Sequence, residues 1–274
     1  MLTPYEVDTS SIRGVLSGIK HDQCPDDKTL FIGIEKEGEQ IDSYDDSDGL
    51  GLDIKDRFRE FDLWNTEDGS LNNGFEIHTH PMTFEAYKML NWADLIEESG
   101  LEFHNESCGL HLHLNRGSFT GLHFRKFFNF LYDNLNLTTF IADRFSSDSF
   151  SDYARFSEHD RKRANKNIAR GDIRRHTWGD KYTAINFTHS KTIELRFFGG
   201  SDSEHKFMTK IEFVKALHEY TRDSSLRDSS SSDRFFGYVS REHKTYPNLY
   251  RELNSGAGRT ARNNPTLIPH YLNY

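Results

Sequence analysis

Four short segments of the sequence alternate aliphatic residues with acidic, histidine or arginine residues. They are FIGIEKEGE (31–39), GFEIHTHP (74–81), GLHLHLN (109–115) and TIELRFF (192–198). Successive side chains of a β-strand point to opposite faces of the sheet, so each segment predicts one aliphatic side and one charged side. Such alternation is typical of antiparallel strands that pack on a core with one face only. The sequence therefore predicts four strands with their charged sides on a shared face.

The residue types on the charged sides differ from those of a face that only meets water. Such a face usually mixes Lys, Ser, Thr and Gln, whereas these sides supply carboxylates and imidazoles, which are ligands of divalent metals. Clustered carboxylates also repel one another unless cations lie between them. Any one strand alone favours a half-exposed surface, but the four together favour a metal site. The charged sides carry Glu35, Glu37, Glu39, Glu76, His78, His80, His111, His113, Glu194 and Arg196.

The donor types also indicate which metal and which chemistry. Oxygen-rich ligation with one or two imidazoles and no cysteine suits Mg²⁺ or Mn²⁺ better than structural zinc. Hard cations commonly bridge phosphate oxygens, and Arg196, two residues after Glu194, could balance the charge of a transferring phosphoryl group. The residues therefore predict metal-dependent phosphoryl transfer or hydrolysis on a sheet.

Segments outside these strands have helical periodicity. Apolar residues recur every three or four positions over 118–145 and 203–223, and more weakly over 83–98. The chain lacks a regular βαβ repeat and a GxGxxG turn, which argues against a parallel nucleotide-binding sheet. We therefore expect one α+β domain over residues 1–274, with a mainly antiparallel sheet, helices on one side and a polar tail over 224–274.

Composition limits the partners and the compartment. The formal net charge of -9 argues against a chain coated for non-specific nucleic-acid binding, which needs surplus Lys and Arg. Cys24 and Cys108 give neither a disulfide framework nor a CxxC metal motif, and they fit a reducing compartment. No segment stays apolar over the roughly 18 residues that cross a bilayer, and the N-terminus lacks a leader pattern. We expect a cytoplasmic protein without a membrane partner.

Four blocks of the sequence resemble, in the same order, the signature blocks of the amidoligase family, carboxylate–amine ligases related to glutamine synthetase and glutamate–cysteine ligase. The blocks are GIEKEGE, DGSLNNGFEIHTHP, CGLHLHLNR and KYTAINFTHSKTIELRFFGG, within residues 31–200. The resemblance implies an antiparallel sheet curved into a funnel or half barrel, with helices on its outer face and with ATP and two Mg²⁺ or Mn²⁺ ions on its concave face. The reaction it implies is ATP-dependent amide formation, in which the γ-phosphoryl group passes to a carboxylate and an amine attacks the acyl phosphate.

The resemblance also implies a ligand set for each metal. Glu35, His111 and Glu194 match the ligands of the metal that bridges the β- and γ-phosphates of the nucleotide. Glu37 and Glu76 match ligands of the second metal, which lies nearer the carboxylate and the amine. The implied ligands come from separate strands, so this metal centre depends on the predicted sheet.

Further matches concern the nucleotide and the substrates. His113 and Lys181 lie at positions expected near the nucleotide phosphates, and Arg196 matches the arginine that offsets charge on the moving phosphoryl group. Arg196 and Glu37 are the residues expected to act in catalysis. The expected substrate contacts are Asp68, Ser70, His78, Tyr182 and Asn186.

Two roles stay open at the level of sequence. The attacking amine must lose a proton, and Glu39, His78 and His80 are equivalent candidates for the base. The segment 155–181 carries nine Lys or Arg against four Asp or Glu, which predicts either a lid over phosphates or a solvated surface element.

Two other functions compete with a ligase. A metal-dependent hydrolase could use the HLH of the third strand, although it would favour more histidines and an aspartate on later strands. A binding or structural protein could keep the ligase fold without turnover. For a ligase, the carboxylate and the amine are unspecified, and either could belong to a peptide or a nucleic-acid-linked group. We expect a monomer or a homodimer.

Overall fold

Seven strands form one sheet in the structure, a computed structural model that describes residues 14–16, 19–24, 27–40, 63–67, 71, 74–144, 154–169 and 182–264. The strands are β1 (Ile32–Gln40), β2 (Trp64–Glu67), β3 (Gly74–His78), β4 (Leu101–Glu102), β5 (Gly109–Asn115), β6 (Ile185–Asn186) and β7 (Thr192–Gly199). Neighbours follow the order β2-β3-β1-β5-β7-β6, and β4 also pairs with β1. Every ladder between these strands is antiparallel and the sheet is open, which confirms the predicted α+β class with a mainly antiparallel sheet.

The register of the central strands brings the charged sides together. Glu35 in β1 lies opposite His78 of β3 on one side and opposite His111 of β5 on the other. Two further cross-strand pairs are Glu37 with Glu76 and His113 with Glu194. We call this side of the sheet the polar face, and it carries Glu35, Glu37, Glu76, His78, His111, His113, Glu194 and Arg196.

The opposite face of the sheet is aliphatic and packs against helices. Ile34, Leu112 and Leu195, one from each of three adjacent strands, are fully buried in one apolar cluster with helix residues. A β-bulge where β5 meets β7 shifts the phase of β7, so Phe197 and Phe198 are both buried although they are neighbours in sequence. Apolar packing thus holds the sheet from one side and leaves the other side to polar groups.

Nine α-helices lie among the described residues. They are α1 (Phe84–Met89), α2 (Trp92–Glu98), α3 (Gly121–Asp133), α4 (Leu135–Ala142), α5 (Glu158–Ala169), α6 (Glu204–Asp223), α7 (Ser232–Arg241), α8 (Pro247–Asn254) and α9 (Gly256–Asn263). The predicted helix over 118–145 is two helices, because Asn134 leaves helical geometry and its amide donates to the Phe130 carbonyl at 2.9 Å. The weaker pattern over 83–98 is also two helices, whereas 203–223 forms the single helix α6. None of the nine combines the length and apolar character that spanning a bilayer requires.

The segment expected as a polar tail over 224–274 contains helices in its described part. Three helices, α7 to α9, continue the chain, and Phe235, Val239 and Leu249 are buried in the same core as the sheet. Phe235 and Val239 are four residues apart, which places both on one face of α7. The serine-rich sequence before α7 lowers the mean hydropathy and hides that spacing.

Candidate metal centre

The carboxylate of Glu35 is approached by four imidazoles. Its Oε2 lies 3.3 Å from His111 Nδ1. Its Oε1 lies 3.0 Å from His113 Nε2, 3.5 Å from His21 Nδ1 and 3.8 Å from His78 Nδ1. The register explains two of these contacts, because Glu35 lies between His78 of β3 and His111 of β5.

Glu194 in β7 is almost fully buried, with 1% of its surface exposed. Its Oε1 pairs with the Arg196 guanidinium and lies 3.5 Å from His111 Nδ1. Its Oε2 accepts a hydrogen bond from Asn186 Nδ2 at 2.6 Å and lies 3.0 Å from His189 Nε2. These contacts hold both oxygens of Glu194 in place, with Oε1 beside His111.

Glu37 and Glu76 form a second acidic pair across β1 and β3. Glu37 Oε1 lies 3.6 Å from His111 Nε2, and Glu37 Oε2 accepts a hydrogen bond from the backbone N–H of Gly109. A Cβ at residue 109 would lie 3.0 Å from that oxygen, so the glycine gives the carboxylate room to reach the amide. Glu76 Oε2 lies 3.2 Å from His78 Nε2.

The described residues contain four groups of three His or Glu side chains whose donor atoms all lie within 4.8 Å of one another. One group, Glu35 with His111 and Glu194, is the first ligand set that the resemblance implies, and another joins Glu37 and Glu76, the implied ligands of the second metal, with His111. The other two contain two imidazoles each: His21 with Glu35 and His78, and His113 with His189 and Glu194. Carboxylate oxygens and imidazole nitrogens at this spacing could hold divalent cations.

Among the described residues, two buried nitrogen atoms of the polar face have no hydrogen-bond partner of good geometry. They are His113 Nε2 and Arg196 Nε. Buried polar atoms are paired in most proteins, so an orphaned one needs a physical reason such as a ligand, an ion or a water. His113 Nε2 faces a carboxylate at 3.0 Å without the alignment of a hydrogen bond, as expected for a site that also accommodates a cation.

Burial raises the pKa of Glu35, of Glu37 and of Glu194, and the neighbouring imidazoles oppose it. For Glu35, burial is outweighed by the charge of His113 and a hydrogen bond from His111, which hold the pKa well below its usual value. For Glu194, burial is likewise outweighed by imidazole contacts, and the pKa is lowered. For Glu37, burial prevails over the charge of His111, and the pKa is raised. Glu35 and Glu194 are therefore held as anions, whereas Glu37 gains most from a cation.

The imidazoles respond to the same contacts. Burial lowers the pKa of His111 and of His113, but Glu37 beside His111 and Glu35 beside His113 outweigh it, so both pKa values are raised. Burial and then the charge of His113 lower the pKa of His21. These contacts favour positive charge on His111 and His113 of β5 and a neutral His21.

The structure places the expected substrate residues in different surroundings. His78 belongs to the cluster around Glu35, whereas Asn186 donates to Glu194 and so positions a carboxylate. Tyr182 is exposed, and its carbonyl accepts from the Arg155 N–H at 3.0 Å. The remaining members of the predicted site lie outside the described residues: Asp68, Ser70 and Lys181.

The three candidate bases are also separated by the structure. Among them, His78 is the one found in a donor group of the described residues. Glu39 accepts from Ser107 Oγ at 2.7 Å, and His80 Nδ1 lies 2.8 Å from the Ile19 carbonyl oxygen. His78 is therefore the base candidate nearest the carboxylates that could hold metals.

The first part of the basic segment 155–181 is a surface helix. In α5, Ala164 and Ile168 are buried, and Asn165 Nδ2 donates to Asn129 Oδ1 of α3 at 3.0 Å. This packing supports a structural role for α5, and residues 170–181 lie outside the described part of the chain.

Two histidines of the cluster were missed by sequence reasoning. His21 belongs to a short 3₁₀ turn (His21–Gln23), and its ring stacks on His113 with centroids 4.4 Å apart. His189 follows β6 and contacts Glu194. The sequence did hold one signal for His21: Gly33 lies in the charged phase of β1, and a Cβ there would clash with the His21 ring. A glycine in that phase indicates that another group covers the strand.

No known protein family and no curated protein matches the sequence. The assignment to the amidoligases therefore stays a prediction, and functional reasoning rests on the polar face itself.

Proposed function

We propose that this protein is an ATP-dependent carboxylate–amine ligase that forms an amide through an acyl phosphate at a two-metal site on the polar face. The observation that carries the proposal is the convergence, from four strands, of two donor groups that share His111. One is Glu35, His111 and Glu194, and the other is Glu37, Glu76 and His111. The first is a ligand set that the amidoligase resemblance implies, and the second adds His111 to the implied pair of Glu37 and Glu76.

His111 can serve the two groups in different ways. A neutral imidazole has one lone pair and one N–H, so it ligates through a single nitrogen. Nδ1 faces Glu35 and Glu194 and would be the ligand, which leaves the Nε2 hydrogen directed towards Glu37 Oε1 at 3.6 Å. A carboxylate that accepts a hydrogen bond from the second ring nitrogen of a ligating histidine fixes the orientation of the imidazole and raises the basicity of the ligating nitrogen.

The metals that fit these groups are Mg²⁺ or Mn²⁺. When bound, such ions neutralise phosphate and carboxylate charge during phosphoryl transfer. Glu35 and Glu194 would hold one ion, and Glu37 and Glu76 the other. His113, beside Glu35, would face the nucleotide phosphates.

Arg196 is suited to the phosphoryl group because a guanidinium presents several N–H donors in a planar fork that matches phosphate oxygens. Its Nη1 pairs with Glu194, while no residue in the described part of the chain accepts a hydrogen bond from its buried Nε. An anionic oxygen at that nitrogen would remove the cost of the orphaned donor, which is about 1–3 kcal/mol for such groups.

The proposal includes the finer features of the fold and the setting. The open sheet would be curved into a glutamine-synthetase-like funnel or half barrel, with its polar face concave. The acid and the amine could be peptides or nucleic-acid-linked groups, and the protein would act in the cytoplasm as a monomer or homodimer.

The test is ADP release from Mg-ATP with pools of carboxylates and amines. Glu37→Ala and Arg196→Ala should each reduce release to background, because they remove a metal ligand and the charge that stabilises the moving phosphoryl group. Glu106→Ala, at an exposed acid, is the matched control and should behave as wild type.

Two outcomes would contradict the proposal. Turnover that persists in both site variants would show that the site is assigned wrongly. Metal-dependent hydrolysis without ATP would favour the hydrolase, for which the two donor groups with paired imidazoles are the supporting observation.

A further inference from the structure

Two imidazoles outside the two proposed metal sites approach a single carboxylate oxygen. His21 Nδ1 and His78 Nδ1 lie 3.5 and 3.8 Å from the same atom, Glu35 Oε1. Both histidines are buried, so water does not separate them freely from the carboxylate. Which nitrogen of each ring carries a hydrogen decides what this arrangement means.

The tautomer of neutral His21 is fixed by the backbone. Its Nε2 lies 2.8 Å from the Thr79 carbonyl oxygen, which can only accept a hydrogen bond. Nε2 therefore carries the hydrogen. In the neutral ring, Nδ1 then presents a lone pair to Glu35 Oε1.

The same logic applies to His78. Its Nε2 lies 2.6 Å from Thr66 Oγ1 and 3.2 Å from Glu76 Oε2. The Thr66 hydroxyl donates its hydrogen to Glu76 Oε2 at 3.3 Å, so its oxygen accepts from His78. Nε2 of His78 therefore carries the hydrogen, and Nδ1 presents a second lone pair to Glu35 Oε1.

Three electron-pair donors thus converge without a hydrogen between them, which is repulsive unless a cation joins them. The contacts of Nε2 in His21 and His78 are typical of metal-ligating histidines, whose second nitrogen donates to a carbonyl, hydroxyl or carboxylate. Packing also fixes the rings: Trp64 stacks on His78 with centroids 5.1 Å apart and planes 9° apart. Gly33 leaves the space that the His21 ring occupies over β1.

We propose that His21, His78 and Glu35 bind a third divalent ion, and that this ion is a transition metal such as Zn²⁺ rather than Mg²⁺. Two imidazoles and one carboxylate form the ligand set that zinc and related metals favour, whereas Mg²⁺ favours oxygen. Glu35 would bridge this ion through Oε1 and the neighbouring ion, beside His111, through Oε2. His113 Nε2, 3.0 Å from Oε1, borders the site.

This inference does not depend on the ligase proposal, because the site is complete without ATP. The test is the number of zinc ions bound by the full chain after removal of metals, measured by equilibrium dialysis with excess Mg²⁺ and without nucleotide. We expect wild type to retain one tightly bound zinc ion that excess Mg²⁺ does not displace.

The decisive variants are His21→Gln and His78→Gln. A glutamine amide can still donate to Thr79 O or Thr66 Oγ1 in place of Nε2, but it lacks a nitrogen at the position of Nδ1. Each variant should lose the zinc ion, with a fall in affinity larger than the roughly 10–100-fold that loss of an outer partner costs. Thr66→Val removes the hydroxyl beside His78 Nε2, which is such an outer partner. Its zinc affinity should therefore fall by roughly 10–100-fold.

Two further variants separate the site from the fold and from the ligase. Gly33→Ala keeps His21 but displaces its ring, so it should also lose zinc while its circular dichroism stays that of wild type. His243→Gln, at an exposed histidine in the turn after α7, is the control and should bind zinc as wild type does. Equal zinc content in wild type, His21→Gln and His78→Gln would overturn the inference, as would a wild-type chain that retains no zinc. ADP release plays no part in this readout, so failure of either proposal leaves the other measurable.

Discussion

Two pairs of buried histidines differ in which groups their ring nitrogens contact. His111 and His113 of β5 face carboxylates on the polar face. His123 of α3 and His218 of α6 lie on the helical side, where His123 Nε2 is 2.8 Å from the His218 carbonyl oxygen. The rings of the second pair pack on each other and on Phe119. All four side chains are almost fully buried, so burial does not distinguish a functional histidine from a structural one.

The charge that each ring favours distinguishes the β5 pair, His111 and His113, from the helical pair, His123 and His218. Burial lowers the pKa of His123 to about 4 and that of His218 to about 2, because carbonyl oxygens compensate the lost hydration only in part. In the β5 pair the carboxylates outweigh the same burial, and the pKa values are raised. The β5 histidines therefore face carboxylates that could also bind a metal, whereas a carbonyl oxygen and aromatic rings contact the helical pair.

The largest expected effect comes from removing the carboxylate that the β5 pair shares. Glu35→Gln should lower ADP release by about 10³-fold or more, since loss of metal charge stabilisation is worth several kcal/mol. It should also abolish zinc retention, because Glu35 belongs to both the proposed nucleotide-metal group and the proposed third site. Turnover and zinc content are the two measurements.

The matched control is a buried glutamate on the helical side. Glu212 accepts from Asn248 Nδ2 at 2.8 Å and from the Leu249 N–H at 2.7 Å, which holds the start of α8. Glu212→Gln should cost about 1–3 kcal/mol of unfolding free energy and leave zinc content unchanged. If Glu35→Gln and Glu212→Gln lose zinc equally, the polar face has no special role.

Sequence reasoning found the strands of the polar face because their periodicity is local. β1, β3, β5 and β7 each show the alternation of apolar and charged residues over at least four positions. β2 and β4 were missed because they are short, and β4 has two residues. The three helices after Asp223 were missed because their few apolar residues are diluted by serine and charge.

The residues of the candidate site were predictable where they lie on these strands. Glu35, Glu194 and His111 follow from strand phase together with the amidoligase resemblance, and the register brings them together. His21 could not be found this way, because it lies outside any strand and reaches Glu35 through the path of the chain before β1. The orientation of Asn186 towards Glu194, rather than towards a substrate, also depends on tertiary contacts.

The next expected effect is a change in the free energy of unfolding with pH, which has opposite signs for the β5 histidines and the helical pair, His123 and His218. The ordinary pKa of His123 is 6.5 and its folded value is about 4, so between these values the unfolded chain binds a proton that the folded chain does not. Stability from the helical pair is therefore present above about pH 6.5 and is lost as pH falls. At pH 5 the loss from His123 should be about 2 kcal/mol, at 1.36 kcal/mol per pH unit.

The β5 pair contributes in the other direction. Raised folded pKa values mean that its stabilisation is complete below about pH 6.5 and is lost as pH rises through the folded values. Denaturant unfolding in EDTA at pH 5 and pH 7 measures both effects. The double variant His123→Gln/His218→Gln should show a smaller loss between pH 7 and pH 5 than wild type. An unchanged loss would show that the helical pair is protonated in the folded state.

The smallest expected effect concerns a positioning residue of the polar face. Asn186 Nδ2 donates to Glu194 Oε2 at 2.6 Å, so Asn186→Ala frees one oxygen of a carboxylate that Arg196 and His111 still hold. Loss of such an outer partner should weaken activation by Mg²⁺ about tenfold, while kcat at saturating Mg²⁺ changes little. The matched control is Asn165→Ala, which removes the hydrogen bond to Asn129 between α5 and α3 and should leave the Mg²⁺ requirement unchanged. A fall in kcat that excess Mg²⁺ does not restore would instead place Asn186 at the substrate, as the sequence resemblance implied.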